Sequence, residues 1–326
     1  MTRESAAMLA VDGGNSKTDV ALVARDGALL ALVSGPSVSH QEVGLETGIR
    51  RLAEMAADAL QRAGVERRPA IGVYCLAGAD LPRDLRMVSG ALEAAGLADV
   101  TLVRNDAFAI LRAGAPRGRG VAVICGAGVN CVAVAPDGRT ARLAGLGDIS
   151  GDWGGGQSIG TDALGAAVRA RDGRGPRTAL ERLVPAHFSL RRPLDVTNGL
   201  YTGAIAQRRI LELAPLVFQA AADGDSVARS IVDRMADEIT AMAAAMLRRL
   251  HLTRSDADVV LGGGIFRTRE PDFYARIERG VVSAAPRARV HRLTARPVLG
   301  AALLGLDRLN AGARAEWRLR EAFASS

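Results

Sequence analysis

The chain has 326 residues, long enough for two domains that each bury a core, and its 48% hydrophobic and 24% charged composition excludes a disordered chain. Its longest apolar runs, such as Met8 to Val11 and Val121 to Cys125, fall far short of the roughly 20 residues a membrane-spanning helix needs, so no membrane partner is expected. The net charge of +7 is spread as arginine, with only three Tyr, six Phe and two Trp to stack bases, so a nucleotide or phosphorylated ligand accounts for it and no nucleic-acid partner is expected.

Met8 to Val11 reads as a buried strand, Asp12-Gly13-Gly14-Asn15 as a tight turn, and Thr18 to Ala24 as a returning strand. With no cleavable leader before this strand, a cytoplasmic location is expected. Leu29 to Val33 reads as a third strand, Leu45 to Leu60 as a helix, Ile71 to Leu76 as a strand and Leu85 to Ala95 as a helix. Strand Thr101 to Val103 and helix Ala107 to Ala113 close the first half.

The second half opens with the same grammar: strand Val121 to Cys125, turn Gly126-Ala127-Gly128, strand Val129 to Ala135 and an Asp-Gly turn. A glycine-rich stretch, Gly145 to Gly160, precedes helical segments at Ala204 to Ala222 and Ser226 to Leu250. Strand Val259 to Leu261 runs into Gly262-Gly263-Gly264-Ile265. A helix at Asp272 to Ala284, a strand at Arg289 to Leu293 and a helix at Val298 to Leu309 follow. This alternation predicts an α/β protein. The polar Arg117-Gly118-Arg119-Gly120 segment marks a boundary, giving domains 1–117 and 118–326, with an amphipathic helix from about Ala311 packing back on the first domain.

A strand that ends in Asp and glycines can bring backbone N–H groups against a phosphate, because glycine allows close approach and positive φ. Gly13, Gly14, Asn15, Ser16, Lys17 and Thr18 offer such amides together with hydroxyls and the only lysine of the chain, and Asp12 is placed to face a metal ion. An ordinary hairpin explains the same residues. The Gly126-Ala127-Gly128 turn carries the same two alternatives, whereas three consecutive glycines, Gly262 to Gly264, favour a ligand-binding role because they cost backbone entropy. Asn105-Asp106 stands between a strand and a helix: Asp106 can cap that helix, or accept the proton of a substrate hydroxyl during phosphoryl transfer. Cys75, Cys125 and Cys131 lie in apolar stretches and the four histidines are scattered, so neither a disulfide framework nor a zinc or iron–sulfur site is expected.

In order along nearly the whole chain, Val11 to Thr18, Leu76-Ala77-Gly78-Ala79-Asp80, Asn105-Asp106-Ala107, Gly126-Ala127-Gly128, Gly151-Asp152-Trp153-Gly154-Gly155-Gly156, Gly262 to Ile265 and Pro297-Val298-Leu299-Gly300-Ala301 resemble the N-acetylglucosamine kinases and the related benzoyl-CoA-reductase-type (BadF/BadG/BcrA/BcrD) ATPases of the actin, hexokinase and Hsp70 superfamily. The resemblance implies two ribonuclease-H-like, actin-like ATPase lobes around a central nucleotide cleft, with ATP and Mg²⁺ as cofactors and a homodimer as the assembly. It implies Asp12 near the metal, Asn15 to Thr18 and Gly126 to Gly128 at the phosphates, and Gly262, Gly263, Gly264 and Ile265 at the adenosine. Asp106 falls where these kinases keep the base, and Ser39, His40, Asn105 and Asp152 fall at the sugar. Ser39 stands where an Asn is usual, Leu146 replaces a tryptophan, and Trp153 replaces a carboxylate, so the reaction is better specified than the sugar. An ATPase activator of a radical dehydratase and a non-catalytic sugar or nucleotide sensor are the competing expectations.

Overall fold

The computed structural model describes residues 6–325. The chain divides into two compact units, one running to Ala122 and resuming at His291, the other spanning Val123–Val290. Among the described residues, no helix is long and apolar enough to cross a membrane.

The first unit is built on strands β1 (Ala6–Gly13), β2 (Lys17–Ala24), β3 (Leu29–Pro36), β4 (Ile71–Leu76) and β5 (Val100–Asn105), in sheet order β3-β2-β1-β4-β5. β1 and β2, and β2 and β3, pair antiparallel; β1, β4 and β5 run parallel. Both faces of this sheet are buried, so β1 is apolar from Met8 to Val11 rather than alternating. Its successive side chains enter different cores. Leu9 and Val11 join Leu52, Met55, Val88 and Leu92 of helices α2 (Leu45–Ala63) and α3 (Pro82–Ala95), beyond the short α1 (His40–Val43). Met8 and Ala10 pack with Val298, Leu299, Leu303, Leu319 and Phe323 on the other side.

That second face is covered by α4 (Ala107–Gly114) and by the last two helices of the chain, α11 (Pro297–Arg308) and α12 (Gly312–Ala324). Gly300 lets α11 lie directly on α4: a Cβ there would fall 2.6 Å from the carbonyl carbon of Ala109.

The second unit carries a sheet in the order β10-β9-β6-β7-β8, from β6 (Gly120–Cys125), β7 (Val129–Val134), β8 (Thr140–Arg142), β9 (Asp258–Gly262) and β10 (Arg289–Arg292). Its helices are α5 (Gly155–Arg171), α6 (Leu180–His187), α7 (Pro193–Thr202), α8 (Ala214–Ala222), α9 (Ser226–Arg249) and α10 (Pro271–Ala284). The helical region expected near Ala204 to Ala222 comes in two parts. Gly203 ends α7 in the left-handed region at φ 79°, a 3-10 turn follows over Gln207–Leu213, and α8 starts with Pro215 in its first turn, where a missing N–H is harmless. The Gly262 to Gly264 segment leads into a 3-10 turn, Gly264–Arg267, before α10 begins.

Candidate active site

In the first unit the C-terminal ends of the parallel strands form one row. Gly13 pairs with Leu76, and Leu76 with Asn105, so the next residues, Gly14, Ala77 and Asp106, emerge together at the same sheet edge. Ala77 N donates to Gly13 O at 2.7 Å and Asp106 N to Leu76 O at 3.3 Å, which fixes this register. Ligands of open α/β sheets bind at such edges.

The β1–β2 turn closes with Gly14 N donating to Lys17 O at 2.9 Å, leaving Asn15, Ser16 and Lys17 exposed. Gly13 has no room for a side chain: a Cβ would meet Leu76 Cδ2 at 2.5 Å and Val38 Cγ2 at 3.0 Å. Thr18 is buried and its hydroxyl finds no partner among the described residues.

Asp12 keeps part of its surface open, yet burial of the carboxyl, reinforced by the charges of Asp106 and Asp19, pushes it up to about 8 against the pull of Lys17 and Arg296. A carboxyl held protonated by such surroundings is one from which a divalent cation can displace the proton. One or two carboxylates, completed by phosphate oxygens and water, are what Mg²⁺ asks of a protein. Among the described residues no group of three or more His, Cys, Asp or Glu converges to hold a metal without such help.

Asp106 occupies the N-cap position of α4, but in helical geometry, φ −56° and ψ −29°, and its carboxylate makes no capping hydrogen bond. Asn105 supplies that service: its Oδ1 accepts from Ala107 N at 3.1 Å, while its Nδ2 donates to Asp80 Oδ1 at 2.9 Å. The structural role proposed by the sequence for Asp106 therefore falls to its neighbour. Ser39 and His40 reach the same edge from the segment after β3. Ser39 is 2% exposed with an unpartnered hydroxyl among the described residues, and His40 lies against Gly78 of the β4–α3 connection.

In the second unit three glycine segments converge. Gly156 N donates to Gly126 O and Gln157 N to Ala127 O, both at 2.8 Å, so the start of α5 is bonded to the β6–β7 turn. Gly155, at φ 72°, leaves no space for a Cβ, which would sit 2.6 Å from Ala127 O. Gly263, at φ 106°, lies on the backbone of Cys125 in the same way, 2.6 Å from its carbonyl carbon. By contrast, a Cβ on Gly126, Gly128 or Gly264 would point into open space. Beside Gly264 and Ile265 a cavity of about 580 Å³ opens between α8 and the 3-10 turn, walled by Pro215, Phe218 and Ala222 and edged by Thr268 and Glu270.

Asp152 lies just ahead of α5, where its carboxylate accepts from Ser150 Oγ. Trp153 does not extend an acidic pair; the guanidinium of Arg234 stacks over its ring at 4.0 Å from the centroid and also reaches Asp162 at 3.4 Å.

Sequence patterns gave no notice of Asp19, Ser34 and Arg296. Asp19 is buried and takes Lys17 Nζ at 3.0 Å, Ser34 Oγ at 2.6 Å and Arg296 Nη2 at 3.0 Å. Burial pushes its carboxyl up, but hydrogen bonds from Ser34 and Lys17 and the charges of Lys17 and Arg296 outweigh that and hold it below the ordinary value. The walls of the α8 cavity were equally silent, being small or apolar residues indistinguishable from core.

The chain is 30% identical over 261 residues, covering 79% of it and 85% of the relative, to an N-acetylmuramic acid/N-acetylglucosamine kinase of Clostridium acetobutylicum. It is 27% identical over 318 residues, 92% of this chain and 97% of the relative, to the N-acetyl-D-glucosamine kinase of Dictyostelium discoideum. A solved structure from Chromobacterium violaceum, described as a candidate N-acetylglucosamine kinase, superposes with a TM-score of 0.72 at 25% identity over 93% of this chain and 99% of that one. A ROK hexokinase from Thermus thermophilus shares the fold, with a TM-score of 0.59 at 19% identity over 94% of this chain and 99% of that one. The family model of the BadF/BadG/BcrA/BcrD ATPases matches residues 9–305, and the chain belongs to that family.

Proposed function

We propose that this protein is a Mg·ATP-dependent kinase that phosphorylates a hydroxyl of an amino sugar, the 6-OH of N-acetylglucosamine first and glucosamine next. The observation that carries this is Asp106: it stands at the sheet edge beside Asp12 and the β1–β2 hairpin with a carboxylate that α4 does not use as a cap. A helix start capped by its asparagine, with the aspartate beside it at the strand ends, suits a general base.

In this proposal Asp106 accepts the proton of the attacking hydroxyl, and Ser39, His40, Asn105 and Asp152 orient the sugar. Gly13, Gly14, Asn15, Ser16, Lys17 and Thr18 hold phosphate oxygens through amides, hydroxyls and one ammonium. Gly126, Ala127 and Gly128 do the same in the second unit, where Gly262, Gly263, Gly264 and Ile265, with the α8 cavity, hold the adenosine. Mg²⁺, near Asp12, supplies neutralisation of phosphate charge when bound. The relatives named for N-acetylglucosamine support the choice of sugar. A homodimer in the cytoplasm belongs to the same proposal, with sedimentation as its check.

The test is ADP release from Mg·ATP across N-acetylglucosamine, N-acetylmuramic acid, glucosamine and plain hexoses, with Asp106→Asn in parallel. Turnover with an amino sugar, reduced about 10²- to 10⁴-fold in Asp106→Asn while ATP still binds, is the expected result. Sugar-independent turnover would instead mark an activator ATPase, and nucleotide binding without turnover a sensor.

A further inference from the structure

Asp12 and Asp19 are direct cross-strand partners in the β1–β2 pairing, so two carboxylates share one face of the hairpin. Like charges so placed repel. The structure answers with two cations on Asp19, whose side chain has 0% exposure: Lys17, 58% exposed, and Arg296, 36% exposed. The two are not equivalent. Lys17 stands in the turn itself and makes one contact, to Oδ2. Arg296 precedes α11, holds Oδ1, and donates as well to Ser34 Oγ at 2.8 Å, while Ser34 donates to the same Oδ1.

A buried carboxylate cannot lose its sole counter-ion cheaply, because the uncompensated charge costs several kcal/mol. Asp19 has a second one. We propose that Lys17 and Arg296 form an ion-pair exchange on Asp19: Lys17 leaves Asp19 to meet an anionic phosphate at the hairpin, and Arg296, braced by Ser34, keeps Asp19 compensated while it is gone. Asp19 and Arg296 are then positioning residues that never touch the phosphate. The exchange rests on the hairpin being a phosphate site, as proposed above. It also explains why a lysine, a flexible point charge, occupies the mobile role and an arginine, whose fork holds two partners, the fixed one.

The experiment measures ATP affinity by calorimetry in EDTA, without divalent cation, for the wild type and for Lys17→Met, Arg296→Met, both together, and Asp19→Asn with Arg296→Met. Losing a charged donor to phosphate weakens binding by about tenfold or more in Lys17→Met. Arg296→Met strands Lys17 on Asp19 and produces a comparable weakening, yet adds less than about twofold once Lys17 is already gone. Asp19→Asn in the Arg296→Met background removes the trap and restores affinity, and this variant buries no unpaired charge, so it stays folded even if Arg296→Met does not. Equal weakening by Arg296→Met with and without Lys17 would place Arg296 on the nucleotide itself and overturn the exchange, as would no weakening at all.

Because Lys17 is the only lysine, reductive ¹³C-methylation places one side-chain probe in the protein, besides the terminal amine, and methylation keeps the charge. Its resonance shifts on ATP addition in the wild type and stays fixed in Arg296→Met. A resonance unmoved in the wild type while calorimetry reports binding would show that nucleotide does not reach the hairpin, which overturns the phosphate-site proposal and not only the exchange.

Discussion

Arg112, on α4, donates two hydrogen bonds to each of two carboxylates: 2.8 and 2.9 Å to Asp307 on α11, and 3.0 and 2.7 Å to Glu316 on α12. Its side chain is 7% exposed, whereas Asp307 is 50% and Glu316 26% exposed. The helix that begins at Asp106 is thus clamped near its far end by the last two helices of the chain.

Replacing Arg112 by Met leaves two acids that can still reach water, so the expected loss is about 2 to 3 kcal/mol, not the larger cost of stranding a buried charge, and urea unfolding measures it. The hydrogen bond from Arg112 is the largest cause holding Glu316 below its usual value of 4.5. A depressed folded value means that this stabilisation is present above the unfolded value and is lost as pH falls through the folded one. Stability should therefore drop on acidification below about pH 4.5, and Arg112→Met should flatten that part of the profile.

Gly263 and Gly264 are neighbours with opposite expectations. Gly263→Ala forces a side chain into the backbone of Cys125 at φ 106° and should cost about 2 to 4 kcal/mol. Gly264 faces open space, so Gly264→Ala should change stability by less than about 0.5 kcal/mol while raising the KM for ATP if nucleotide lies against that turn. Thermal melts and ATP titrations on the pair distinguish the two roles.

The α8 cavity predicts a similar separation. Ala222 is exposed on its wall, so Ala222→Trp should fill the groove beside Pro215 and Phe218. Affinity for ATP should fall at least about tenfold with an unchanged melt, since an occluded pocket forfeits apolar burial of the base. Unaltered affinity would place the adenosine elsewhere.

Gly300→Ala should be among the most damaging single-methyl changes in the first unit, because the added Cβ meets the backbone of Ala109 rather than a movable side chain. A loss of about 1 to 3 kcal/mol is expected, accompanied by a fall in kcat that exceeds the change in KM, since α4 and Asp106 shift together.

The local grammar of the chain was legible in the sequence. β1 and β2 announce themselves by apolar runs around Asp-Gly-Gly-Asn, and Ile71–Leu76 is a strand with the bounds its composition suggests. Partnerships over long separations left no trace. Arg296 meets Asp19 across 277 positions, and neither residue is unusual in its own neighbourhood. The capping exchange between Asn105 and Asp106 was hidden for another reason: both residue types cap helices well, and only backbone angles decide which one does. Near Ala204 to Ala222 the apolar residues suggest a helical region, and no periodic count separates the 3-10 turn over Gln207–Leu213 from the α-helix that starts at Ala214.

The return of the chain to the first unit after Val290 sets an order of events during synthesis. Met8, Ala10, Val23 and Val73 belong to strands made early, but α11 and α12, which share with α4 the covering of that face, are made only after the Val123–Val290 unit. The Val123–Val290 unit is contiguous and can complete its core first, while one face of the earlier sheet, with only α4 to cover it, waits until α11 and α12 have been made. Expression yield in cells should consequently depend on chaperone supply more steeply than the stability of the finished protein would suggest, and a C-terminal truncation at Ala311 should aggregate rather than merely lose activity.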